Sequence, residues 1–261
     1  MNSPFAHRLA PWVAGLLMIL LWWAVVRAFG IESFILPTPF EALYALYQFH
    51  AVLLHHILTT FVTTVLGFGL AVVLGVILGV LVGSFRIIYS ALYPILVGFN
   101  SVPKAALVPV LVIWCGVGPL PAIFTAFLLS FFPIVVNVAT GFATIEPELL
   151  DVLRALGASR RDMIMKIGIP RSLPYFFASL KISITLAFVG SVIAEIVAGN
   201  SGIGNVMLVA SSNFNIPLVF AALIAVAVMG IAMYSVFAFI EKRLTSWSVR
   251  GAGGIEMATG G

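Results

Sequence analysis

Side chains able to do chemistry are scarce in this chain of 261 residues: 13 Lys or Arg, 9 Asp or Glu, 4 His and one Cys. Their densest cluster is ELLDVLRALGASRRDMIMKIGIP, residues 148–170, which gathers Arg154, Arg160, Arg161 and Lys166 with Glu148, Asp151 and Asp162. A second group, Asn100, Ser101 and Lys104, surrounds Pro103 in FNSVPKAALVP, and Asn137 and Glu195 stand alone in apolar runs. No nucleophile–base pairing suggests itself among these residues. His55 and His56 are adjacent, so on a helix they diverge and make a poor metal pair; with His7 and His50 they read as surface residues. There is no phosphate-binding loop with a lysine, no HExxH and no CxxC. The glycines of GNSGIGNV (199–206) lack dinucleotide-binding spacing. The lone Cys115 cannot form a disulfide within the chain. These residues offer binding and docking, not catalysis, and energy for uphill work must come from an ion gradient or another subunit.

The elements that position them follow from composition. With 62% hydrophobic and 8% charged residues, the chain is far more apolar than a soluble domain, so lipid must be its solvent. The basic residues adjoin apolar runs without aromatic interleaving, which argues against a nucleic-acid partner. Six apolar segments near 10–29, 57–83, 91–115, 119–143, 174–198 and 217–240 are long enough to span a bilayer. The first exceeds a signal-peptide core, and no small-x-small cleavage site follows it, so it is expected to be retained. With a cytoplasmic N-terminus, Arg8, Arg86, Arg154, Arg160, Arg161, Lys166, Arg171, Lys242, Arg243 and Arg250 all fall inside. The long outer loop 30–56 holds Glu32 and Glu41 but no Lys or Arg. Both termini and the polar cluster are therefore expected in the cytoplasm.

Pro94, Pro103 and Pro109 interrupt the third segment and Pro133 the fourth, predicting local kinks or breaks. Irregular backbone at membrane depth needs cover from protein or a water-filled cavity. Lys104 is therefore expected either to meet an anionic solute or to bind carbonyls freed by the break. Asn100, Ser101, Asn137 and Glu195 are the other candidate pathway residues. Gly67, Gly75, Gly79 and Gly83 form a small-residue stripe suited to close helix contact.

The polar cluster reads as two short amphipathic helices. The first is expected to start near Pro147, with Leu149, Leu150, Leu153 and Leu156 as its apolar stripe and Gly157 at its left-handed C-cap. Ser159 offers an N-cap to the second, with Asp162 closing a capping box. Met163, Ile164 and Ile167 share one side of it, and Pro170 is expected to end it. About 30 residues are more than a connection needs. Physical chemistry leaves two readings: a docking surface for a partner, or helices lying in the lipid interface.

The loop resembles the EAA loop of the membrane subunits of binding-protein-dependent ABC importers: Glu-Ala-Ala, three residues, Gly, nine residues, Ile-x-Leu-Pro. Gly157, Ala158, Ser159, Ile167, Ile169 and Pro170 fall at matching offsets. Asp151-Val152-Leu153 replaces Glu-Ala-Ala, and Ile169 replaces Leu. ILPTPFEAL (35–43), VPKAALVPVLVIWCGVG (102–118), AEIVAGNSGIGNVM (194–207) and KRLTSW (242–247) are similar to the branch importing nitrate, taurine and alkanesulfonates.

The resemblance implies an all-α type I importer fold with six transmembrane helices in a bacterial cytoplasmic (inner) membrane. It implies a terminal helix and periplasmic segment over 1–56, a core over 57–241 with a coupling loop at 144–173, and a cytoplasmic tail over 242–261. The implied partners are a second permease subunit, most simply a second copy, two ABC ATPase subunits, and a periplasmic or lipid-anchored substrate-binding protein. ATP and Mg would be bound by the ATPases and no cofactor by this chain. Glu148, Asp151, Arg154, Gly157, Ala158, Ser159, Arg160, Ile167 and Pro170 would couple to the ATPase. The implied cargo is a small, anionic solute such as nitrate or a sulfonate, a pyrimidine or an aromatic acid. An ion-coupled secondary transporter is the alternative from another class; it would use Lys104 and Glu195 but leaves the loop unexplained.

Overall fold

A computed structural model describes residues 4–144, 151–153 and 155–245, and every described element is helical. In chain order these are α1 (Pro4–Ala28), α2 (Pro39–Gln48), α3 (His50–Ser84), α4 (Arg86–Ser101), a 3₁₀ turn at Lys104–Leu107, α5 (Val108–Cys115) and α6 (Pro119–Ala143). After the polar loop come a short α-helical turn (Arg160–Met163), a π turn (Ile164–Gly168), α7 (Ile169–Ala198), α8 (Ile203–Ser212) and α9 (Ile216–Leu244).

Five helices are long and apolar enough to cross a membrane. The pair α4 and α5, bent by 78° at the 3₁₀ turn, makes a sixth, broken crossing. The break has a local cause. Pro103 and Pro109 cannot donate backbone hydrogen bonds, and Pro103 holds Val102 extended at ψ 128°.

Helices run across several expected boundaries. α3 begins at His50 and runs 35 residues, so the expected boundary at 56/57 falls inside a helix. The boundary at 241/242 likewise falls inside α9. Pro170 does not end the loop's second helix. One helix runs from Arg161 to Ala198, 38 residues long. Proline has no N–H for the Lys166 carbonyl, and the π turn absorbs the lost bond, with Ile169 N–H reaching back to Ile164 O.

The core is a three-helix seam with α6 at its centre. The glycine stripe of α3 lies on α6 so closely that a Cβ at Gly75 would sit 2.9 Å from Ile134. At Gly79 it would sit 2.7 Å from Val138, and at Gly83 2.7 Å from Phe142. α7 meets the other side of α6 the same way: Gly141 backs onto Ser172 and Gly190 onto Thr125 and Ala126. Small residues let backbones approach where hydrophobicity gives no net drive between helices. Ile134, Ile184, Ala126 and Ala187 fill the seam and are essentially inaccessible. Among the described residues, α1 meets the body near its end, through Val26 and the contact of Trp22 with Phe220 at 5.4 Å.

Candidate functional sites

Three sites hold the polar residues. The first is the loop between α6 and α7. Pro147, Glu148, Leu149, Leu150 and Arg154 lie outside the described residues. Asp151–Leu153 is helical, and the helix closes at Gly157, whose φ is +78°. Ala158 N–H donates to Leu153 O at 3.0 Å, the six-to-one bond of a Schellman ending with Gly157 in its left-handed position. Two residues later Ser159 opens the next helix. Asp162 N–H donates to Ser159 Oγ at 3.2 Å, and the Asp162 carboxylate accepts from Ser159 N–H at 3.3 Å. This is a capping box with Asp in the usual Glu position.

Asp162 also pairs with Lys166 at 2.9 Å. It lies outside the bilayer stretch, because a 38-residue helix is about 57 Å long against a core of about 30 Å. Hydrogen bonds from Ser159 and then Lys166 pull its carboxyl down to about 2. The helix–glycine–helix corner encloses a groove of about 260 Å³ lined by Leu153, Leu156, Gly157, Ala158, Lys166 and Ile167. Leu156 is 77% exposed at its rim. Pro170 sits apart, in the first turn of α7.

The second site is the α4–α5 break. Lys104 Nζ donates to the Asn100 carbonyl and, at 2.7 Å, to Asn100 Oδ1. It also lies 6.0 Å from the centre of the Phe99 ring. Ser101 donates to Val97 O at 3.0 Å. Of the two roles expected for Lys104, the geometry displays the binding of carbonyls at the broken helix end. Asn137 is similarly committed, donating to Pro133 O at 2.8 Å.

The third site centres on Glu195, one of the expected pathway residues. Glu195 is only 3% exposed, enclosed by its own subunit. Its Oε2 accepts from Thr60 Oγ1 at 2.8 Å and from Gly204 N–H at 3.1 Å. Thr60 Oγ1 in turn accepts Ile203 N–H at 2.9 Å, and His56 Nδ1 accepts Gly202 N–H at 3.1 Å. One carboxylate thus ties α3, α7 and the start of α8 together. The glycines of GNSGIGN are explained by packing: Gly199, Gly202 and Gly204 all press on Glu195, and Gly202 has φ +93°. Sequence spacing does not reveal a partner 135 residues away; the available signal was an acid followed closely by three glycines. A further pair that sequence reading missed is Lys181 with Glu241, joining the first half of α7 to the end of α9.

A helical seam with a broken crossing and a capped internal loop is the build of a multi-spanning helical membrane protein. Among the described residues no group of three His, Cys, Asp or Glu could hold a metal. The chain belongs to the family of binding-protein-dependent transport system inner membrane components, whose model matches residues 71–246.

It is 32% identical over 234 residues to the riboflavin transport system permease protein RibX of Chloroflexus aurantiacus, covering 89% of this chain and 87% of the relative. The formylaminopyrimidine transport permease protein ThiX of Halalkalibacterium halodurans is 27% identical, with 92% and 96% covered. The putative aliphatic sulfonates transport permease protein SsuC of Bacillus subtilis is 29% identical, with 90% and 88% covered. Among solved structures, an inward-facing MetNI methionine ABC transporter matches with a TM-score of 0.67 at 19% identity, covering 76% of this chain and 98% of that one. The fold is thus that of a type I ABC importer permease, and the chain is a multi-pass integral protein of the inner membrane.

Proposed function

We propose that this chain is the translocating subunit of an ATP-driven importer, pairing with a second copy of itself to enclose the pathway. Two ATPase subunits, which hold ATP and Mg, dock beneath it, and a substrate-binding protein delivers cargo from outside. The observation that carries the reading is the capped corner at Gly157. It presents an apolar rim at Leu153 and Leu156 and leads without interruption into α7. A lipid-lying pair of helices would not require a rigid turn joined directly to a span. Glu148, Asp151, Arg154, Ala158, Ser159 and Arg160 belong to this docking surface, with Ile167 and Pro170 linking it to the membrane. The core is 57–241 with its coupling loop at 144–173, preceded by the terminal helix and periplasmic segment and followed by a cytoplasmic tail.

Lys104 and Glu195, the charges an ion-coupled carrier would use, are engaged by Asn100 and by Thr60 and Gly204. Family membership supports the ATP-driven reading over that alternative. The cargo is a small solute of the kind named for the relatives, a heterocycle such as riboflavin or formylaminopyrimidine or a sulfonate; the committed bonds of Lys104 weaken an exclusively anionic choice.

Co-purification tests the assignment. The tagged chain should bring an ATPase with it, and recovery of the chain alone from a gently solubilised membrane would count against it. Orientation is tested separately in a Cys115-free background. Ser159→Cys should react with an impermeant thiol reagent only from the cytoplasmic side and Gln48→Cys only from outside; the reverse pattern would overturn both the orientation and the docking role.

A further inference from the structure

His56 belongs to none of the roles above, yet its ring is placed with care. It lies two turns into α3, half-buried, one turn before Thr60. Its Nδ1 accepts the backbone N–H of Gly202, 146 residues away, at 3.1 Å. A backbone N–H can only donate, so Nδ1 must be the unprotonated nitrogen and the ring proton sits on Nε2. That bond holds the turn 199–202 onto α3 at its last residue; from Ile203 onward the chain is held instead by Thr60 and Glu195. Protonation would place a hydrogen on Nδ1 and point it at the Gly202 N–H. The acceptor becomes a second donor, and the contact changes from attractive to repulsive.

We propose that His56 is an acid-released latch on the 199–202 turn. Above the ordinary histidine range the ring is neutral and the turn is closed. When the ring takes up a second proton, the bond to Gly202 is lost and the turn loosens while α8 stays anchored. The titratable groups around His56 are His55 on the same helix, whose ring centre is 5.4 Å away, and Glu195 on α7, reached through the shared Thr60. α2 and α9 turn apolar residues to this cluster, Ala45 and Ala221 among them, and Glu41 of α2 is committed to Thr38. His50 is bonded to Tyr47 O. With the orientation proposed above the latch faces the outside, where pH varies; the latch itself does not depend on that orientation.

The test uses the protein in nanodiscs, with both faces open to buffer, so that it is independent of topology and of transport. Ser201→Cys is introduced in a Cys115→Ala background and its reaction with a methanethiosulfonate reagent is followed. The rate is divided by that of the exposed Gln48→Cys to remove the pH dependence of thiol ionisation. Between neutral and acidic buffer the normalised rate should rise on the order of fivefold, the factor one ordinary hydrogen bond provides. His56→Gln, whose amide oxygen can accept the Gly202 N–H but cannot titrate, should stay slow at both pH values. His56→Leu should be fast at both. Glu195→Gln should keep the pH response. A flat wild-type profile, a response that survives in His56→Gln, or one that disappears in Glu195→Gln while persisting in His56→Gln would each overturn the assignment.

Discussion

Glu195 and Lys104 are both charged residues at membrane depth, and they are satisfied in opposite ways. Glu195 takes its hydrogen bonds from another helix and from a distant turn, and three glycines leave no space around it. Lys104 takes its bonds from Asn100, four residues earlier in the same broken crossing. The first arrangement fixes elements relative to one another. The second repairs a helix end within one crossing. A buried charge is therefore not in itself a mark of the transport path; what matters is whether its partners are local or distant.

This contrast can be broken, and the hardest blow should fall on Gly202. At φ +93°, with its α-carbon against the Glu195 carboxylate, Gly202→Val meets both backbone strain and a collision. We expect a loss of about 4 kcal/mol or more and failure to accumulate, read as the amount of folded protein recovered in mild detergent. Normal recovery would show that the turn at 199–202 is not fixed. Next is Glu195→Ala, which strands Gly204 N–H and leaves the Thr60 hydroxyl to His56 O alone. Thermal unfolding should report a loss of about 3 kcal/mol, with Glu195→Gln recovering part of it.

At the loop, Gly157→Val should cost about 1–2 kcal/mol through backbone strain alone, since a Cβ there meets nothing within 4 Å. Membrane insertion should survive while ATPase recovery or ATP-dependent uptake is lost, and Gly157→Asn, which tolerates the left-handed region, should restore both. Normal uptake by the valine variant would sink the docking role. The smallest effect belongs to Lys104→Met. Stability should change by less than about 1 kcal/mol. Uptake should show a lower maximal rate with an unchanged KM; a KM raised about tenfold would mean that Lys104 touches cargo after all.

Much of this was legible in the sequence because it is written locally. The span at Pro119–Ala143 follows from apolar length, and the cap at Gly157 and the Ser159–Asp162 box follow from residue chemistry at fixed offsets. The glycine stripe of α3 announced a close contact, though not that α6 would fill it. What escaped was non-local or compensated. Thr60 and Glu195 meet only in the fold, and nothing in the apolar run of α3 marks that threonine as special. Pro170 was read as a stop because proline removes a bond, but a π turn one residue earlier supplies another register. α2 and α8 are too short to be read from apolar length; each is ten residues long.

The unbroken helix from Arg161 to Ala198 has a mechanical consequence. From Arg161 to Glu195 is 34 steps along one helix, about 51 Å, with the π turn at Ile164–Gly168 as its change of register. Gly141 against Ser172 and Gly190 against Thr125 bolt that rod to α6 at two heights, and the glycines of α3 bolt the third member to the same post. A push delivered at the Ser159 corner therefore does not travel through the molecule by relay. On the proposed docking role it would shift α3, α6 and α7 together as a frame, with α1 hung outside it.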